Sequence, residues 1–169
     1  MPRREAEPGI QPLGVAPAPP ATFADFEAIA DVVVVGKIEQ VEPGVGILGG
    51  MDIEQRVRVA VSEVLRDEGG SLVPGDELVY LASGGRVRFG ERTLYGPEAP
   101  GVPVPEVGSR VLLSGSIESA GAAFVNPTTV SPVRGETVKV PEGMWFEERE
   151  VSLEKLRLAL SRRGGGGSR

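Results

Sequence analysis

Two side chains are missing altogether: in 169 residues there is no cysteine and no histidine. With them go disulfides, thiolate nucleophiles, Cys/His zinc sites and imidazole acid–base chemistry. A chain without thiols suits an oxidising or a reducing compartment equally. Aromatics make up only 5% of the residues, with a single tryptophan. No apolar run approaches the roughly 20 residues that a membrane-spanning helix needs. The opening MPRREAEPG has basic residues but no apolar stretch behind them, so no signal peptide is visible. Positive charge is in deficit, 18 Lys and Arg against 24 Asp and Glu, for a net charge of −6. A field of that sign repels nucleic acid and anionic lipid and leaves only local patches to attract them.

What is present fits one soluble globular domain, with 40% hydrophobic and 25% charged residues. Residues 1–21, rich in Pro and Ala, have neither helical nor strand period and read as a flexible tail. GGGGSR (164–169) has the composition of a second flexible tail, which leaves residues 22–163 as the folded domain. Thr22 can cap a short helix over FADFEAIA, where Phe23, Phe26 and Ile29 recur on one face. The valine run Val32–Val35 follows at once. In MDIEQRVRVAVSEVL, Met51, Ile53, Val57, Val59, Val61 and Leu65 share one parity, while Asp52, Glu54, Arg56, Arg58 and Ser62 take the other. That is the two-residue period of a long strand with one wet face. VPGDELVYLA supplies a turn and a strand over 77–82, and GGRVRFGERTLYG a hairpin turning at Gly90. A Pro-rich loop leads into RVLLSGSIES, and AAFVNPTTV follows. A closing helix, VSLEKLRLALSRRGG, is capped by Ser152, carries the stripe Leu153, Leu156 and Leu160, and stops at Gly164. No crossover-length helices separate the strands, so a parallel βαβ sheet is excluded.

Each possible site has a plainer competitor. A phosphate loop at Gly36-Lys37 requires a second glycine five residues upstream and Ser or Thr after the lysine. Asp31 and Ile38 occupy those positions, so a glycine at a bulge or tight coil explains Gly36 better. The carboxylate pairs Asp67-Glu68, Asp76-Glu77 and Glu147-Glu148 stand in polar turns, where neither member is desolvated enough to act as an acid. Arg56, Arg58, Arg86, Arg88 and Arg92 can form a local basic face if the second strand and the hairpin are neighbours, with Phe89 and Tyr95 as nearby aromatics. Asp52 and Glu54 interrupt it, so nucleic acid is disfavoured. MetTrpPhe at 144–146 reads as the pin of the last helix.

The order ADVVVVGKIEQVE, VSEVLRD, VPGDELVYLASGG and GVPVPEVGSRVLLSGSIES resembles a diffuse group of uncharacterised bacterial domains. These are usually secreted or envelope-associated and are similar in architecture to five-stranded OB-fold and netrin-like barrels. The likeness spans about residues 23–130 and rests on hydrophobic and turn positions. Leu65-Arg66-Asp67 stands where Leu-Lys-Gly is usual, and LLSGS replaces Leu-Leu-Phe. Inhibitory netrin-like proteins act through an N-terminal cysteine, and this chain has none.

The expectation is therefore a mostly β chain: a small five-stranded OB-like antiparallel barrel with a hairpin insertion and short N- and C-terminal helices. Its expected role is a non-enzymatic binding module for an unknown protein or envelope partner, extracytoplasmic by resemblance, without cofactor or metal. The expected contact residues are Arg56, Arg58, Arg86, Arg88, Arg92 and Tyr95. The alternatives are a carboxylate-dependent hydrolase and a weak single-stranded nucleic-acid binder using the arginine face. No catalytic residue is nominated.

Overall fold

A computed structural model describes residues 30–45, 53–99, 101–117, 124–140 and 150–164. The expected N-terminal helix, the tails at 1–21 and 165–169, the tryptophan segment and Glu147-Glu148 lie outside the described residues. Nine strands and one helix are described: β1 (Val32–Val45), β2 (Ile53–Asp67), β3 (Glu77–Ser83), β4 (Gly85–Phe89), β5 (Arg92–Gly96), β6 (Arg110–Ile117), β7 (Val125–Arg134), β8 (Thr137–Lys139), β9 (Glu150–Ser152) and α1 (Leu153–Gly164).

Seven strands form one antiparallel sheet in the order β3-β2-β1-β6-β7-β8-β9, and β4-β5 form a separate two-stranded sheet. The chain is mostly β as expected, but it is not a closed five-stranded barrel. Among the described residues, one isolated parallel bridge, Val79 to Phe124, is the only backbone pairing between the β3 end of the sheet and the start of β7. Two prolines account for this. Pro127 and Pro132 lie on the part of β7 that pairs with β6 alone, before Val133 and Arg134 meet β8. A proline has no N–H to give a further strand, so that edge cannot build a continuous second ladder. Beyond Pro132, Val133 and Arg134 pair with β8, and β9 follows on β8. Sequence reading missed both because each is only three residues long.

The valine run explains how the sheet is covered on both faces. Val32–Val35 alternate between two cores and are all at most 2% exposed. Val33 and Val35 join Leu112, Val133, Val138, Val151 and the helix residues Leu153, Leu156 and Leu160 on one face. Val32 and Val34 join Val57, Val59, Val61, Leu78, Tyr80, Leu113 and Val130 on the other. A strand buried on both faces has no wet parity, hence the unbroken apolar run. The expected cap of α1 is present, with Ser152 Oγ accepting from the Lys155 N–H at 3.1 Å.

The long strand keeps the expected parity from Ile53 to Val61, with Val57, Val59 and Val61 buried and Glu54 and Arg56 exposed. Beyond that, the pairing with β1 skips Ser62 and Leu65. The first extra residue reverses the parity, so Leu65 packs against the helix-covered core although Val61 faces the opposite one. Ser62 Oγ donates to the Val35 carbonyl at 3.0 Å across this bulge. Gly36 sits beside the bulge and is fully enclosed: a Cβ there would stand 2.4 Å from Val59 Cγ1 and 2.7 Å from the Ala60 carbonyl oxygen. Gly36 is needed for close strand contact, and its backbone amide lies within the sheet rather than in a loop open to phosphate.

Candidate interaction surface

The turn from β3 into β4 runs through Gly84 and Gly85, at φ 80° and 84°, where a side chain would be strained. Space is equally restrictive, since a Gly84 Cβ would lie 2.0 Å from the Pro97 carbonyl oxygen. Gln55, the one polar residue on the buried parity of β2, is 5% exposed and donates from Nε2 to the Gly84 carbonyl at 2.9 Å. The Gly84 N–H donates to the Ile53 carbonyl at 2.7 Å. The hairpin base is thus fixed to the sheet by one side chain and one backbone bond. A glutamine interrupting an apolar period was the sequence signal for this anchor, and it was overlooked.

From that base the register pairs Arg86 with Tyr95, Val87 with Leu94, Arg88 with Thr93 and Phe89 with Arg92. Strand alternation puts Arg86, Arg88, Thr93 and Tyr95 on one face and Val87 and Leu94 on the other. Val87 is 2% exposed, so its face is turned toward the body, while Tyr95 is 73% exposed. Arg86 lies over the Tyr95 ring with its guanidinium carbon 5.9 Å from the ring centre, a cation–π pair. Arg88 Nε donates to the Gly90 carbonyl at 3.2 Å, holding the turn. Of the six nominated residues, Arg86, Arg88 and Tyr95 are brought together. Arg92 belongs to the parity of Val87, beside the tip.

Arg56 and Arg58 lie on a different sheet, on the outer face of β2. Arg56 stands opposite Glu42 on β1 and Leu81 on β3. Arg58 Nε is 3.3 Å from Glu77 Oε1. With Glu54 on the same face, the carboxylates there offset the arginines, and no continuous basic stripe joins β2 to the hairpin.

The Pro-rich loop after β5 is held in place by the Val130 N–H to Gly101 carbonyl bond (2.8 Å) and by a reciprocal pair between Ile38 and the 108–109 turn (2.8 and 2.9 Å). It walls a cleft of about 250 Å³ lined by Pro103, Val104, Pro105, Glu106, Ser109, Val111, Val130 and Pro132. Val104 also lies 2.9 Å from where a Gly85 Cβ would stand, so the cleft and hairpin share a wall. The cleft is apolar, and the Ser109 hydroxyl is already donating to the Glu106 carbonyl at 2.5 Å. Its chemistry suits one small apolar side chain.

The carboxylate pairs serve the turns. Asp67 accepts from the Gly69 and Leu72 N–H groups, Asp76 from that of Val73, and Glu68 from Arg66. Glu63 is clamped by Arg157 of α1 through Nε–Oε1 (2.5 Å) and Nη2–Oε2 (2.9 Å), and the same guanidinium reaches Glu136 at 3.0 Å. The hydrogen bond from Arg157 holds the Glu63 carboxyl below its ordinary range, against a smaller opposing effect of burial. This clamp joins residues 94 positions apart, a separation that leaves no local pattern in the sequence. Tyr80 has its hydroxyl buried in the core without a hydrogen-bond partner, and burial pushes its pKa up. Among the described residues no three carboxylates converge as a metal site, and no helix is long and apolar enough to cross a membrane. Compared with protein-family models, curated proteins and solved structures, the chain matches none of them.

Proposed function

We propose that the chain is a non-enzymatic protein-binding module whose contact surface is the outward face of the β4–β5 hairpin. The observation that carries this reading is Tyr95, which is 73% exposed and positioned by the Arg86 guanidinium 5.9 Å from its ring. Tyr and Arg are enriched at protein interfaces, and an aromatic held in place before contact loses little rotamer freedom on binding. The glycine-and-Gln55 base and the inward Val87 supply the rigid support that such an anchor needs. The hydrolase alternative has weaker support, because Asp67 and Asp76 accept backbone N–H bonds in their turns. A nucleic-acid surface on β2 is disfavoured by Glu42, Glu54 and Glu77 around its arginines.

The test places a photoreactive benzoyl-phenylalanine at Thr93, on the same face as Tyr95, and identifies cross-linked proteins from cell extract by mass spectrometry. Arg86→Ala/Arg88→Ala/Tyr95→Ala is expected to lose the specific products while keeping the far-UV circular dichroism of the parent and a cooperative thermal transition. Identical products from the triple variant would refute the assignment.

A further inference from the structure

Four arginines of the body meet acceptors. Arg58 meets Glu77, Arg66 meets Glu68, Arg157 meets Glu63 and Glu136, and Arg110 donates to the Gly135 carbonyl at 2.7 Å. In the hairpin, Arg88 donates to the Gly90 carbonyl and Arg86 lies over the Tyr95 ring, but no carboxylate meets either. Among the described residues Arg86, Arg88 and Arg92 carry no ion pair with a carboxylate. In residues 85–96 they face a single acidic residue, Glu91, so the segment is net positive in a chain whose overall charge is −6. A chain with surplus carboxylates has thus left its hairpin cations without one.

Backbone geometry adds a second observation. The β4–β5 sheet has only those two strands, and no other backbone hydrogen bond among the described residues reaches positions 86–95. Each strand therefore keeps an edge of unused N–H and C=O groups, the template for strand addition. Arg86 and Arg88, two positions apart on one face of β4, are spaced by about 6.6 Å along the strand, as are alternate residues of any extended peptide. An added strand with carboxylates on alternate residues places each beside one arginine as a cross-strand pair.

From this juxtaposition of unpaired arginines and an open strand edge, we infer that the partner presents an extended acidic segment, with carboxylates on alternate residues, that adds to the edge of β4. The inference rests on the hairpin being the contact surface and specifies the chemistry of what it contacts. Backbone bonds give the affinity and the arginine spacing gives the register. Because free arginines also discourage unwanted sheet association, the test has to detect recognition rather than repulsion.

Four labelled probes of equal length separate the outcomes by fluorescence anisotropy. They are a peptide alternating Glu with Thr, the same composition with its Glu residues contiguous, the alternating peptide with Gln for Glu, and an oligothymidylate. The alternating Glu peptide is expected to bind at least about tenfold tighter than the Gln peptide and to weaken about tenfold between roughly 50 and 500 mM salt. Arg86→Glu/Arg88→Glu is expected to abolish binding, and the charge-matched Arg134→Glu/Lys139→Glu to retain it. Equal affinity for the Glu and Gln peptides, or for alternating and contiguous Glu, overturns the inference. Tighter binding of the oligothymidylate overturns it in favour of a nucleic-acid surface. If the peptides fail while Thr93 cross-linking still depends on Arg86, Arg88 and Tyr95, the partner chemistry is wrong and the binding surface stands. If both fail, both readings fall.

Discussion

Replacing Gly36 by alanine adds one methyl group at the centre of the sheet, and the structure allows its cost to be worked out. The new carbon would stand 2.4 Å from Val59 Cγ1 and 2.7 Å from the Ala60 carbonyl oxygen. Carbon–carbon contacts settle at about 3.5–4.0 Å, so Val59 would have to retreat by more than about 1 Å. Val59 is 0% exposed and surrounded by core side chains, while the Ala60 carbonyl belongs to a strand paired on both sides. Neither can move alone. Overpacking of this kind costs about 1–3 kcal/mol, and with strand backbone as one neighbour the upper half of that range applies. For a domain of this size the melting temperature should fall by roughly 10 °C. The informative comparison is Gly90→Ala at the hairpin tip, where nothing lies within 4 Å of a Cβ and only φ 57° opposes the change. Its cost is about 1 kcal/mol from the left-handed backbone. Urea titration followed by far-UV circular dichroism measures both variants on one scale. If Gly36→Ala costs no more than Gly90→Ala, the close contact between β1 and β2 is not what requires the glycine. A thermal upshift of the parent with ATP or NAD would overturn the same account from the other side.

Val59→Asp should unfold the domain or nearly so, because an unpaired carboxylate in that core costs several kcal/mol; Arg58→Ala should shift urea stability by no more than about 0.5 kcal/mol, and equal costs would mean the register is wrong. Tyr80→Phe should stabilise by about 1 kcal/mol, since it removes a buried hydroxyl without a partner, and a loss of stability would reveal a bond to that oxygen. For Glu63, a carboxyl held below its unfolded-state value contributes stability that is complete above that value and lost as pH falls through the folded one. The melting temperature of Arg157→Met should therefore lie below that of the parent at neutral pH and converge with it as pH falls below the ordinary carboxylate range; a constant gap would remove Glu63 from the account.

How much was legible depended on whether a signal was local. The parity of Ile53–Val61, the burial of Val32–Val35, the turn at Gly90 and the Ser152 cap each rest on neighbours within a few residues, and each was read correctly. Closure of the sheet was not local. Pro127 lies in AAFVNPTTV and Pro132 just beyond it, and their missing donors matter only once β7 is known to face an open edge. The parity reversal at Ser62 was hidden for a similar reason, because a bulge is a mismatch between two strands and neither strand records it alone. For the surface residues, sequence adjacency grouped Arg92 with Arg86, Arg88 and Tyr95, and cross-strand pairing divided them. Arg56 and Arg58 were joined to the hairpin because the two segments were expected to be neighbours, while the outer face of β2 supplies its own carboxylates.

The central place of β1 has a consequence for the order in which the chain folds. Its pairing with β2 closes a short span of chain, from Val45 opposite Ile53 outward. Its pairing with β6 brings together Val32 and Gly115, which are 83 positions apart (32 to 115). Loop-closure entropy rises with the logarithm of that span, so the β1–β2–β3 meander can form before β6 is recruited. The valines of β1 would then wait half covered, with the sites of Leu112 and Leu113 still empty. Substitutions in β2 should accordingly slow folding, while those in β6 and β7 should chiefly speed unfolding. The strand most buried in the native sheet thus passes through a stage in which one of its edges is still open.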